Sequence, residues 1–289
     1  PYNSSADVSP TGSQMPRLVG LAFASRLYRE LESLKEISGF SNRGNEVAWG
    51  TIGNASTAEG MFWESVNAIG VLKAPAVITI YDDDYGISVP NKFQMVKENI
   101  GEIISGFQRK TARTEKRDGG YDIYTVRAWD YPALLDTYWA AAKTTREFHI
   151  PTLVHVTEVT QPQGHSTSGS HERYKSKERL AWEAEFDCNL KMREWMIESE
   201  IVTEGELTVL EKADRKEVES IRKKSWEAFQ NPILAEREEV LEMLSTLQEE
   251  TDAKGEIKAI QAQLLNKPIA QRRDQHVAVH AALRELRQN

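Results

Sequence analysis

The stretch VAWGTIGNASTAEGMFWESVNAIGVLKAPAVITIYDDDYGISVP (residues 47–90) decides the fold. VAWGTI (47–52) is a short, largely apolar run with β-branched residues, which suits a buried strand. Gly53 stops it, and Ser56 or Thr57 is placed to cap the helix that follows. From Ala58 to Leu72 the apolar residues Met61, Phe62, Val66, Ile69 and Leu72 recur at helical spacing. Lys73-Ala74-Pro75 ends that helix, and AVITIY (76–81) is a second apolar strand. Strand, helix and strand in this order make a βαβ unit, with parallel strands and a right-handed crossover.

The two strand exits then lie at the same sheet edge, where open α/β folds bind ligands. The first exit carries Gly53, Asn54 and Ala55; the second carries Asp82, Asp83, Asp84 and Tyr85. An amide and a carboxylate beside a helix start suit Mg²⁺ and a phosphorylated ligand. Mg²⁺ takes one or two carboxylates and completes its octahedron with substrate phosphates and water, while the helix start offers free N–H groups. A run of three aspartates fits a solvated turn equally well.

The alternation continues on both sides. Met15 to Lys35 reads as a helix with Leu18, Leu21, Ala22, Ser25, Leu27, Tyr28 and Leu31 on its inner face, and Phe93 to Phe107 reads as another. A polar connection (108–120) leads to a third strand, YDIYTVR (121–127). A helix follows to about Glu147 with Pro132 in its first turn, and TLVHVTEVT (152–160) is the fourth strand. The pattern predicts an α/β fold with a doubly wound, mainly parallel sheet. Beyond Ser176 charged, helix-favouring residues take over, giving one helix over 177–199 and a second from about Leu207 to Phe229, opened by a capping box at Thr203–Glu206. The expected division is an α/β domain over 1–230 and a helical linker or appendage over 231–289, broken at Gly255 and Pro268.

Composition limits the function. The chain has 289 residues, 40% of them hydrophobic, and a formal net charge of −8. That supports a real core and argues against a nucleic-acid partner, which would call for a basic face. The lone cysteine, Cys188, makes no internal disulfide. No stretch approaches the roughly 18 apolar residues of a membrane span, and no signal segment is visible, so a cytoplasmic protein without a membrane partner is expected. The loop GHSTSGSHERYKS (164–176) leaves the fourth strand at the same edge as Asn54 and Asp83, which makes His165 a candidate site residue. His149 and His155 read as structural and His171 as solvent-exposed.

Gly53-Asn54-Ala55, Ala58-Glu59-Gly60, Asp82-Asp83 and Tyr85-Gly86-Ile87-Ser88 together resemble the cofactor motif of one family, as does the Gly164-His165-Ser166 loop. These are the α chains of thiamine-diphosphate-dependent 2-oxo-acid dehydrogenases, the decarboxylating component of pyruvate and branched-chain complexes. The resemblance covers roughly 9–230 and implies a thiamine-diphosphate-binding fold with a C-terminal helical extension. It implies that Asn54 and Asp83 bind Mg²⁺ by side chain and Tyr85 by its carbonyl. Ser9, Thr11, Gly53, Ala55 and Ser56 would line the cofactor, and His165 would sit beside the diphosphate and the reacting carbon, helping acyl transfer. Ser13 and Gln14 would lie near the K⁺ of branched-chain members. Glu59 is not the cofactor's activating glutamate, which in this family comes from the β chain. The implied partners are a β subunit or fused β domain, a lipoyl acyltransferase component and a 2-oxo acid substrate.

Several positions depart from the family. Its first metal ligand is usually a carboxylate and its second an amide, whereas here Asn54 and Asp83 exchange those roles and keep the charge. Gln161 and Gly169 replace an arginine and an aspartate, Tyr81 replaces an arginine of branched-chain members that reaches the diphosphate, and Ser166 occupies the place of a regulatory serine. A Tyr-Arg pair that the family carries upstream is absent from this sequence, which is expected to be a fragment. The departures motivate a second reading, a cofactor-less assembly module that keeps the fold.

Overall fold

A computed structural model of the chain describes residues 10–37, 39–109, 119–165 and 170–288. Four parallel strands form the sheet: β1 (Ala48–Gly53), β2 (Ala76–Tyr81), then β5 (Asp122–Arg127) and β6 (Thr152–Thr157), in the spatial order β1-β2-β6-β5. A short hairpin, β3 (Tyr85–Gly86) with β4 (Val89–Pro90), stands between β2 and the rest of the chain. β2 and β6 are the inner strands and are buried almost throughout, while β1 and β5 alternate between covered and open positions. That is why AVITIY and TLVHVT read as continuous apolar runs. The register sets Ile80 beside both Ile52 and His155, so the C-terminal ends of β1, β2 and β6 are level.

Each sheet face has its own core. On one, Ile78, Ile80 and Leu153 meet Leu18 and Ala22 of α1 (Met15–Glu30) and Phe62, Val66 and Ile69 of α3 (Gly60–Leu72). On the other, Val77, Val154 and Val156 meet Ala141 of α5 (Tyr131–Phe148). Adjacent residues of one strand thus feed opposite layers, as the period of two requires, and the doubly wound α/β class follows.

Several expected elements differ in detail. The helix expected over 15–35 breaks at Leu31, whose backbone is extended (ψ 120), leaving α1 and a single turn, α2 (Glu32–Lys35). Leu21 and Leu31 are exposed, so the inner face is Met15, Leu18, Ala22 and Ser25. In place of a helix over 93–107 there is a 3₁₀ turn at Asn91–Phe93, then α4 (Ile100–Ile104), capped by the Asn99 side chain. Asn99 accepts from Glu102 N–H and restarts the chain as a helix there. The helix over 177–199 is two, α6 (Lys177–Glu185) and α7 (Cys188–Glu198), because Asp187 caps the second by accepting from Asn189 and Leu190 N–H.

The chain divides into two compact units, Pro1–Ile201 and Val202–Asn289. The expected boundary at 230/231 falls inside α8 (Glu204–Glu250), which runs 47 residues through Pro232. Proline removes a single N–H from the ladder, and helix-favouring sequence on both sides carries α8 past it. The predicted capping box is present: Thr203 Oγ1 accepts from Glu206 N–H and the Glu206 side chain accepts from Thr203 N–H. In the second unit α9 (Lys254–Leu265) and α10 (Arg272–Gln288) pack with the C-terminal part of α8 around Leu244, Ile257, Leu264, Ala278 and Ala282. Among the described residues no helix is long and apolar enough to cross a membrane.

Candidate cofactor and metal site

Level strand ends have a consequence for the chemistry. β1, β2 and β6 open together on a cavity of about 560 Å³. β1 brings Gly53, Asn54 and the turn residues Ala55 and Ser56; β2 brings Tyr81, Asp83 and Tyr85; the segment after β6 brings Val159, Gln161 and His165. Thr11 closes it from the segment before α1. The described residues singled out from the sequence, Thr11, Gly53, Asn54, Ala55, Ser56, Asp83, Tyr85 and His165, therefore surround one space. Ser9, Ser166 and Gly169 lie outside the described residues. Ser13, expected near a monovalent cation, gives its hydroxyl to Pro10 C=O at 2.6 Å and does not line the cavity.

The acidic loop is not a solvated turn. Asp82 and Asp83 are 5% and 8% exposed, and only Asp84 faces outward. The loop folds through two successive side-chain turns: Asp82 Oδ1 accepts from Asp84 N–H at 3.0 Å, and Asp83 Oδ1 from Tyr85 N–H at 3.1 Å. Burial opposes the charge on both carboxylates, and their partners decide the outcome. For Asp82, hydrogen bonds from His155, Asp84 N–H and Asn91, with the charge of His155, outweigh burial and hold the carboxyl below its usual range. For Asp83 burial wins and pushes the carboxyl up, with the Asp82 charge adding to it against Tyr85 N–H and Lys175. A cation beside Asp83 would reverse that balance.

Asn54 is 3% exposed, and its NH₂ donates to Asn91 Oδ1 at 2.7 Å. Asn91 in turn donates to Asp82 Oδ1 at 3.2 Å. His155 Nε2 lies 2.9 Å from Asp82 Oδ2, so it is the structural histidine expected. Asn91 was not singled out from the sequence, and nothing local could have found it: it sits in a 3₁₀ turn nine residues beyond the aspartate it holds.

A second polar layer lies behind Tyr85. Lys175 Nζ bonds both Glu183 carboxylate oxygens at 2.7 and 2.9 Å, with both side chains 2% exposed. Arg179 joins Glu183 to the loop, donating to Asp84 Oδ2 and Asp83 C=O at 2.8 Å each. Gln161 reaches the acidic loop as well, its amide donating to Asp83 Oδ2 at 2.8 Å. His171 is largely covered rather than solvent-exposed, because its ring packs over Gly164.

The helix start at the site also differs from expectation. Neither Ser56 nor Thr57 caps α3, whose N-cap is Glu59. Residues Ala55–Ala58 form a 3₁₀ turn, and Thr57 hydroxyl folds back on Asn54 C=O at 2.5 Å. Ala55 and Ser56 occupy the first positions of that turn, where backbone N–H groups have no carbonyl within the turn to bond. A carboxylate, an amide oxygen and a backbone carbonyl are hard oxygen donors suited to Mg²⁺, and such N–H groups suit the oxygens of a phosphate it carries. Among the described residues no three His, Cys, Asp or Glu side chains form a complete metal cage, so further oxygens must come from ligand and water. The donor set fits that metal. Among the described lining residues none is Lys or Arg, and His165 contributes an imidazole.

Residues 6–233 match the family described as dehydrogenase E1 component. The chain belongs to that family. It is 26% identical over 204 residues to the 2-oxoisovalerate dehydrogenase subunit alpha of Bacillus subtilis, covering 70% of this chain and 54% of the relative. It is 25% identical over 234 residues to the pyruvate dehydrogenase E1 component subunit alpha of Rickettsia bellii, covering 79% and 60%. The chain thus spans little more than half the length of these relatives. The family match runs through 201/202, where packing separates the units, and ends near the sequence-based boundary at 230.

Proposed function

We propose that this chain is the α part of a 2-oxo-acid dehydrogenase decarboxylating component, paired with a β subunit or fused β domain. Its cavity is the Mg²⁺ and diphosphate end of a thiamine diphosphate site. The observation that carries this reading is the meeting of Asn54, Asp83, Tyr85 and His165 at the ends of neighbouring strands. When bound, thiamine diphosphate supplies the electron sink for decarboxylation of a branched-chain 2-oxo acid or pyruvate and carries the acyl group to a lipoyl acceptor. The chain's own residues bind and orient. Asp83 offers the carboxylate, Asn54 the amide oxygen and Tyr85 its carbonyl to Mg²⁺. Ala55 and Ser56 offer N–H groups, and His165 a ring N–H, to phosphate oxygens. Ser9 and Thr11 would close the site, and a K⁺ near Ser13 and Gln14 belongs to the same reading.

The pairing of Asp83 with Gln161 supports the exchange of ligands. A neutral amide holds the carboxylate in place without cancelling its charge, which an arginine would do. A cofactor-less assembly module is the competing reading, favoured by the lack of Lys and Arg among the described lining residues. Calorimetric titration of the full-length protein, assembled with its β partner, separates the two. The expected result is Mg²⁺-dependent binding of thiamine diphosphate, weakened about tenfold or more by Asp83→Asn. No binding at millimolar cofactor would leave the module.

A further inference from the structure

The amide of Asn91 has a fixed orientation. Its Nδ2 lies 3.2 Å from Asp82 Oδ1 and 3.3 Å from the Glu98 backbone carbonyl. A carbonyl oxygen only accepts, so both Nδ2 hydrogens are committed and Oδ1 must face the other way. It faces Asn54, whose Nδ2 is 2.7 Å away. An amide presents its oxygen opposite its nitrogen, so the orientation of Asn91 turns Asn54 Oδ1 away from Asn91. Asn54 lines the cavity yet is only 3% exposed, and Asn91 is 5% exposed, so the bond between the two amides is shielded from bulk water. Asp82 is itself pinned through its other oxygen by His155 Nε2 at 2.9 Å.

We infer that Asn91 is a positioning residue: anchored by Asp82 and Glu98, it orients Asn54 and is the reason an amide, not a carboxylate, stands at position 54. A carboxylate there would set an oxygen against Asn91 Oδ1, acceptor against acceptor. Relieving that clash by turning Asn91 over would forfeit its bonds to Asp82 and Glu98. With position 54 restricted to an amide, the site's negative charge falls to Asp83. The exchange of ligands between the two strand exits is thus a consequence of the layer beneath them. This inference rests on the Mg²⁺ reading of the cavity and extends it to residues that do not touch the metal.

Mg²⁺ titration in the presence of thiamine diphosphate, on the full-length protein with its β partner, tests it in four proteins: wild type, Asn91→Ala, Asn54→Asp and the double variant. With Asn54 in place, Asn91→Ala should weaken Mg²⁺ binding about tenfold or more, the loss typical of a partner that orients a metal ligand. In the Asn54→Asp background it should not weaken binding at all, since a carboxylate has oxygens on both sides and needs no orienting. Equal weakening in both backgrounds would show a general structural role and overturn the inference, as would no effect with Asn54 in place. Should Asn91→Ala not fold, Asp82→Asn is the second probe, because it offers Asn91 a partner that bonds in either orientation; it too should weaken Mg²⁺ binding only with Asn54 in place. A metal-free readout stands beside these. In wild type the Asn54 side-chain NH₂ should exchange slowly with solvent by NMR, and in Asn91→Ala rapidly. Wild type that binds no cofactor with Mg²⁺ would overturn the proposed function, whereas binding that ignores Asn91 overturns this inference alone.

Discussion

His155 packs its ring against Gly101 of α4, where an added Cβ would lie 2.7 Å from Nδ1. Gly101→Ala therefore pushes the imidazole off its bond to Asp82. Overpacking of this kind costs about 1–3 kcal/mol, which thermal unfolding should register, and Mg²⁺ titration should show weaker binding. A second histidine reports on pH. His149 closes α5 in the left-handed conformation (φ 53) and sits 3.0 Å from Gly44 C=O through Nε2. Burial holds its pKa below 6.5 against the pull of that carbonyl, and the charges of Arg29 and Arg26 act with burial against Glu30. Because the folded pKa is depressed, the unfolded chain binds a proton first as pH falls. Stability from this group is complete above 6.5 and is lost as pH drops through that value, until the folded imidazole also protonates. Urea unfolding of His149→Asn, which keeps a residue tolerant of positive φ, should show a flatter acid limb than wild type.

Among the elements, α6 is tied directly to the acidic loop. Its Arg179 and Glu183, with Lys175 just ahead of it, tie the segment after β6 to the segment after β2. The Lys175 and Arg179 charges also lie over the Tyr85 ring at 5.2 and 5.6 Å. Glu183→Ala removes the carboxylate that both cations share and leaves Lys175 Nζ buried without it. Removing one side of a buried pair costs about 3–5 kcal/mol, so the denaturant midpoint should fall sharply. A change under about 1 kcal/mol, the size of an exposed pair, would show that water reaches Lys175. The same network explains why the Asp83–Tyr85 loop holds its shape while carrying positive φ at Asp84 (67).

At the scale of the whole molecule, the chain has two compact units with separate apolar cores, the layered sheet of the first and the helical core of the second. Leu264→Ala opens a hole in the second core, where Leu264 is 3% exposed. Such truncations cost about 2–5 kcal/mol. Calorimetric melting should show that loss in one part of the transition, while cofactor titration of the folded protein stays at the wild-type value. A matching loss of cofactor affinity would mean that the two units act as one.

The sequence by itself determined the order of strands and helices and the sheet edge at which the site residues emerge. Those features are local: apolar periods of two and 3.6 set the elements, and a βαβ crossover leaves the ends of its two strands level. Gly53-Asn54 and Asp82-Asp83 could be placed together for that reason alone. Boundaries were less legible, because they turn on single side chains such as Asp187 and Asn99, which begin new helices by accepting backbone N–H groups. Only the tertiary structure decided what stands behind the ligands. Asp82 and His155 are 73 residues apart, Asn54 and Asn91 are 37 apart, and Gln161 reaches Asp83 across 78. No periodicity encodes such pairs. They exist because buried polar groups must find partners, and which partners are within reach is fixed only when the strands lie side by side.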